Sequence, residues 1–96
     1  MNHNHESHPN RKKVIINFKK AKTHLERIQK MLDDDTYCID IMQQNLAVIG
    51  LLKSAHQMLM EDHLHSCFES AMQSNDEQTK SRMTEEILTV TKLLNK

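Results

Sequence analysis

The sequence predicts an all-α protein of three helices, the middle one much longer than its neighbours. Among 96 residues there are one Gly, one Pro and no Trp, which leaves little material for turns or sheets, while the abundant Leu, Ile, Met, Lys, Glu and Gln favour helix. Apolar residues recur in alternating steps of four and three, the period of a helix face. Two short polar stretches, at Asp33–Asp35 and Ser74–Glu77, break that rhythm with residues that start or stop helices.

Residues 1–8 (MNHNHESH) read as a flexible, histidine-containing tail, and residues 9–96 as a single helical domain. Pro9 suits the first turn of a helix, where its missing N–H is no loss. From there Val14, Phe18, Ala21, Leu25, Ile28 and Leu32 predict the seam of the first helix. The triple Asp at 33–35 opposes the dipole at a helix C-terminus and suits the start of the next helix, so the connection falls there, with Asp35 or Thr36 as N-cap. The middle helix is expected from about Tyr37 to about Met72. Its seam is Ile41, Asn45, Val48, Leu52, Ala55 and Leu59, widened by Ile39, Leu46 and Ile49. So wide a stripe predicts packing on two sides. Gly50 within it suits a close approach of two backbones. Ser74-Asn-Asp-Glu77 has the capping-box pattern and opens the third helix, whose seam is Met83, Ile87, Val90 and Leu94. A middle helix of roughly 50 Å cannot be covered by two short neighbours, which predicts dimerisation along it.

Thirteen basic and thirteen acidic residues cancel, so net charge points to no partner. Their placement says more. Arg11, Lys12, Lys13, Lys19, Lys20, Lys22, Arg27 and Lys30 crowd the first third of the chain. The bland reading is the solvated side of an amphipathic helix; the functional one is a DNA-facing surface. No aromatic residues interleave with these charges, which argues against a single-strand or RNA platform. No helix-turn-helix character, Gly-rich phosphate loop, nucleophile elbow or paired acid and base appears, so neither a recognition helix nor an enzyme is expected. No apolar run is long enough to span a membrane, and a cytoplasmic protein is the expectation. In a reducing compartment two cysteines read as metal ligands or core residues before a disulfide.

Those cysteines carry the chemistry. His63 and Cys67 are four apart and share a helix face, a spacing suited to two ligands of one soft ion. Cys38 lies 25 residues before His63 on the same helix, about 37 Å away at 1.5 Å per residue. The three form one site only if Cys38 comes from a second, antiparallel copy, which creates two symmetric Cys-His-Cys sites. Two thiolates and an imidazole favour Cu(I) in trigonal geometry, with Zn(II) or Ni(II) open to a site with further ligands. His3, His5 and His8 are the candidates for such ligands, although a solvated tail is the simpler reading. His65 faces away from the pair and is expected to be exposed. His24 and His56 read as surface or interface histidines, and Met31, Met42, Met58, Met60, Met72 and Met83 as packing.

The stretch Lys30-Met-Leu-Asp-Asp-Asp-Thr-Tyr-Cys38-Ile-Asp-Ile-Met-Gln-Gln, then Leu46-Ala-Val, then His63-Leu-His-Ser-Cys67, resembles the CsoR/RcnR family of metal-sensing repressors over residues 10–95. The resemblance implies a three-helix protomer with a long central helix, an antiparallel four-helix-bundle dimer, and a homotetramer built as a dimer of dimers. It implies a repressor that binds operator double-stranded DNA as apoprotein and leaves when metal binds. The Cys-His-Cys set resembles the Cu(I) branch, with Cys38 of one protomer joining His63 and Cys67 of the other. Tyr37 and Glu86 would stand behind these ligands and link them to the third helix. The nickel and cobalt branch adds histidines, some near the N-terminus, which keeps Ni(II) and Co(II) open. Where the copper branch carries operator-binding arginines this chain has Asn17 and Ser54, and Thr23 replaces a Gly of the first helix. Arg11, Lys12, Lys13, Lys19, Lys20, Lys22 and Lys53 are then the residues left to contact DNA. Three readings follow: a Cu(I)-responsive repressor, a copper buffer or carrier without operator binding, and a nickel or cobalt sensor using the tail. Sensing of a persulfide at the two thiols is a further alternative.

Overall fold

The computed structural model describes residues 8–95; His3 and His5 of the N-terminal tail lie outside the described residues. The elements are α1 (Arg11–Asp33), α2 (Cys38–His63), a π-helical turn (Leu64–Phe68), α3 (Glu69–Gln73) and α4 (Glu77–Leu94). His63, Leu64, Phe68 and Glu69 all keep right-handed helical torsions, so α2, the π turn and α3 make one continuous rod. That rod is the long middle helix, and it sets the longest dimension of the molecule, 58 Å. The π turn was not visible in the periodicity. Here hydrogen bonds reach one residue further than in an α-helix, and the Ser66 hydroxyl donates to the Asp62 carbonyl at 2.8 Å.

The junction between α1 and α2 differs from expectation. Thr36 N–H donates to the Met31 carbonyl at 2.9 Å and Asp35 N–H to that of Leu32 at 3.2 Å, the two bonds of a Schellman turn. Asp35 takes the left-handed conformation this turn demands, with φ 55°. The acidic triplet therefore closes α1, and the N-cap of α2 is Tyr37, not Asp35 or Thr36. Turn geometry outweighs the unfavourable dipole, because Asp accepts positive φ better than most side chains. At the next junction the N-cap of α4 is Asp76, not Ser74. Its carboxylate accepts from Gln78 N–H at 3.0 Å and from the Thr79 hydroxyl at 2.6 Å. Ser74 serves the end of α3, donating to the Ala71 carbonyl at 2.7 Å.

α1 runs antiparallel to α2, with Asn10 reaching Met58 and Asp62, and Asn17 reaching Leu51. The buried residues of this contact are Val14 and Ala21 of α1 against Val48, Ala55 and Asp62 of α2, and Ala71 is buried in α3. Asn17, His24, Ile28 and Met31 fill the half-buried positions between them, as do Ile41, Gln44, Leu51 and Met58 opposite. The contact therefore follows one heptad stripe on each helix, 14-17-21-24-28-31 and 41-44-48-51-55-58-62. Half of the expected first seam lies elsewhere: Phe18, Leu25 and Leu32 are 46%, 47% and 57% exposed. On α2, Asn45, Leu52 and Leu59 are likewise exposed. α1 and α2 thus each carry a second apolar stripe left largely open in this chain, with α4 beside it only at Leu59. α4 folds back along α2, with Ile87 and Val90 facing Leu59 and Met60 across a cavity of about 300 Å³. It has no buried residue of its own.

The chain exposes 7569 Å², against about 5,700 Å² for a compact monomer of this size. Within the chain, nothing packs against Gly50. A Cβ there would meet nothing within 4 Å, so no backbone of this chain approaches it. Replacing Gly50 with Ala is expected to stabilise the protein by about 1 kcal/mol, the difference in helix propensity, read as a raised urea midpoint with unchanged slope. A second expectation concerns Asp76, whose pKa is lowered mainly by the Thr79 hydroxyl bond. A lowered folded-state pKa contributes stability that is present above the ordinary carboxylate value and lost as pH falls through the lowered one. Acid should therefore unwind the start of α4, seen as lost far-ultraviolet helix signal, and Asp76→Ala should remove that acid-dependent step.

Candidate functional site

The candidate ligands sit at the two ends of α2. Cys38 is its first residue, His63 its last, and Cys67 lies in the π turn. Both thiols are free and exposed, and His63 is half-buried. In the wider π turn four residues still come close to a full revolution, so His63 and Cys67 stay on one side of the rod. Cys38 does not join them: the helix between Cys38 and His63 is about 37 Å long at 1.5 Å per residue. Among the described residues no group of three or more His, Cys, Asp or Glu side chains is assembled to hold an ion. A single chain therefore holds the candidate donors in two groups at opposite ends of one rod. The donors suit a soft cation, since a thiolate and an imidazole are within one turn at one end and a second exposed thiol is at the other.

Glu86 of α4 and His63 line the same 300 Å³ cavity, together with His56 and Met60. Tyr37, 70% exposed, precedes Cys38 at the far end of the rod. His65 is exposed, as its position on the helix predicts. His24 is an interface histidine, half-buried in the α1–α2 seam, and its Nδ1 is buried without a partner, as is that of His8.

One residue that periodicity passed over stands beside the site. Asp62 is 1% exposed, the most buried polar side chain described, and it immediately precedes His63. Both carboxylate oxygens accept from Asn10 N–H, each at 3.2 Å. A signal existed in the sequence: Asp62 follows Val48 and Ala55 at steps of seven and so occupies a core position.

The basic residues Arg11, Lys12, Lys13, Lys19, Lys20, Lys22 and Lys53 are all exposed. Lys19 and Lys20 border a shallow cavity of about 760 Å³ with Asn17 and Ser54. Lys22 borders a separate groove with Phe18 and Leu25, and Lys53 another beside α4. Asn17 is turned inward, its amide donating to the Leu51 carbonyl at 3.2 Å.

Residues 10–96 match the protein family described as metal-sensitive transcriptional repressor. The chain belongs to this family. The family is one of regulators, not enzymes, and the likeness seen in the Tyr-Cys and His-x3-Cys stretches is borne out. Among curated relatives, the chain is 35% identical over 68 residues to the copper-sensing transcriptional repressor CsoR of Mycobacterium ulcerans, covering 71% of this chain and 58% of that protein. It is 34% identical over 73 residues to CsoR of Bacillus subtilis, covering 76% and 72%. It is 25% identical over 77 residues to the copper-sensing repressor RicR of Mycobacterium tuberculosis, covering 80% of each. The chain thus spans little more than half the length of the M. ulcerans relative. No solved structure gives a significant match. Among the described residues no helix is long and apolar enough to cross a membrane.

A site shared between two chains, as the sequence leads one to expect, would have a measurable consequence. Cys38→Ala chains alone, and Cys67→Ala chains alone, should lose tight binding of Cu(I). Unfolded and refolded together in equal amounts, they should recover about a quarter of the wild-type sites, because half the dimers are mixed and each mixed dimer holds one intact site. Anaerobic titration against a Cu(I) chelator reads this. No recovery on mixing would count against a shared site.

Proposed function

We propose that the chain is a cytoplasmic Cu(I)-responsive transcriptional repressor that binds operator DNA as apoprotein and releases it when Cu(I) occupies an intersubunit site. The observation that carries this reading is the division of thiol and imidazole donors between the two ends of one rod whose second apolar stripe is left largely open. An antiparallel copy laid along that stripe brings Cys38 of one chain to His63 and Cys67 of the other, twice over by symmetry. Two such dimers would form the homotetramer. Two thiolates and one imidazole suit Cu(I) better than the harder alternatives Ni(II), Co(II) or Zn(II). The copper-sensing relatives support the same choice.

In this reading His63 and Cys67 hold the ion from one chain and Cys38 from the other. Glu86, which shares a cavity with His63, would orient the imidazole, and Tyr37 of the second copy would reach the site beside its own Cys38. DNA affinity would come from exposed lysines and Arg11 contacting phosphates, which demand charge more than a particular side chain. Linkage then requires that whatever metal does to DNA affinity, DNA does equally to metal affinity.

Two other readings have an observation each. Asn17 is spent on the Leu51 carbonyl, and Ser54 carries no charge, which favours a copper-binding member without operator recognition. His8 has a buried, unpartnered Nδ1 and lies two residues from Asn10, which favours a nickel or cobalt sensor using the N-terminal histidines. Anisotropy titration of the protein's own promoter decides among them. The repressor predicts apo binding that weakens steeply with salt, is lost on adding Cu(I), and shows a log-log salt slope reduced by about 1 in Lys20→Ala. Absence of salt-sensitive apo binding would leave the buffer reading. Deleting residues 1–8 should leave Cu(I) affinity unchanged, whereas a large loss of Ni(II) affinity would favour the third.

A further inference from the structure

α1 begins without the usual means of satisfying its first turn. Asn10, the N-cap, makes no capping bond with its own side chain, and the first turn holds Arg11, Lys12 and Lys13 but no acidic residue. Cations there oppose the positive end of the helix dipole. Asp62 supplies the negative charge and the bond that an N3 glutamate makes in a capping box, since its buried carboxylate takes the N–H of the N-cap residue Asn10 on both oxygens. The Asn10 side chain completes the clamp by donating to the Met58 carbonyl at 3.4 Å and to Glu61 at 3.0 Å. At the other side of the clamp, the Asp62 carbonyl accepts the Ser66 hydroxyl from within the π turn. His63 follows Asp62 directly, and Cys67 follows Ser66.

The geometry points to Asp62 as a positioning residue that couples the metal-holding turn to the basic start of α1. Asp62 and His63 are consecutive on one rigid turn, so a rotation of the rod that draws His63 and Cys67 onto a common ion moves the carboxylate with it. A buried carboxylate cannot be left without its donor except at high cost, so the start of α1 follows. Arg11, Lys12 and Lys13 thereby change position when the ligands close. This inference rests on the functional reading above for its biological meaning, but not for its physical test.

That test uses the full chain as wild type, Asp62→Ala, Asp62→Asn and Asn10→Ala, apo and with Cu(I) under anaerobic conditions. Hydrogen exchange of the amides of residues 10–14 is followed together with Cu(I) affinity by chelator competition. In wild type Cu(I) should alter exchange in this turn. Asp62→Ala should speed its apo exchange about tenfold or more, abolish the metal-dependent change, and keep Cu(I) affinity within about threefold. Asp62→Asn, whose amide oxygen can still accept Asn10 N–H, should restore both protection and response. Wild-type exchange in apo Asp62→Ala, or a full metal response in it, overturns the coupling. If Asp62→Ala does not fold, Asn10→Ala carries the test. It keeps the N–H on the carboxylate and cuts only the bonds to Met58 and Glu61, so the metal response should persist, and its loss would place the coupling in those side-chain bonds and overturn the role of Asp62. Promoter affinity separates the two levels. The drop on Cu(I) binding, about tenfold or more in wild type, should shrink to less than about threefold in Asp62→Ala. A wild type whose promoter affinity ignores Cu(I) refutes the repressor reading, while the exchange data still decide the coupling.

Discussion

The antiparallel seam between α1 and α2 is the constraint on which the rest of the structure depends. Its fully buried apolar members are small or β-branched, Val14 and Ala21 against Val48 and Ala55. Apolar layers this alike would pack nearly as well after a slip of one heptad. Polar anchors remove that freedom. Asn10 is held on Asp62 at one end and Asn17 on the Leu51 carbonyl further along. A slipped register would strand the Asp62 carboxylate in the seam without a donor, and an unpaired buried charge is among the costliest defects a small protein can carry. The anchors thus specify the pairing by penalising its alternatives, the role best attested for polar groups in helical seams.

Using one stripe of α2 for α1 leaves the adjoining one free. Phe18, Leu25 and Leu32 on α1 and Leu52 and Leu59 on α2 remain exposed, and α4 covers only part of the rod. A chain of this size can afford so long a helix only if another surface completes it. The same arrangement keeps Cys38 from His63 and Cys67. In the proposed function, association and metal binding are therefore one event in structural terms, because the surface that buries the free stripe is the one that brings the ligands together.

Much of this was legible in the sequence, and the misses share a cause. The long middle helix ends within a residue or two of its expected bounds, since period and breakers are local signals. The first seam was half right: Val14, Ala21 and Ile28 face α2, but their partners there are Asn17, His24 and Met31, not Phe18, Leu25 and Leu32. Both sets continue the heptad, and hydrophobicity alone selects the wrong one, because the more apolar stripe is the one left over. The acidic triplet and Ser74 misled in the same way. Each fits a helix start by composition, whereas backbone torsions that composition does not reveal make Asp35 the closing residue of α1 and give the cap of α4 to Asp76.

What the sequence by itself determined is the set of helices and the distance that separates Cys38 from the candidate donors His63 and Cys67, because helical period and rise follow from the backbone alone. Membership of the metal-sensitive repressor family was legible in the same residues. Only the tertiary structure decided which stripe α2 presents to α1, that Asn17 turns inward, that a π turn lies between His63 and Cys67, and that Asp62 caps a helix 52 residues before it. Those outcomes depend on long-range pairing, where one buried carboxylate and one backbone N–H must meet, and no local pattern records which donor will be there.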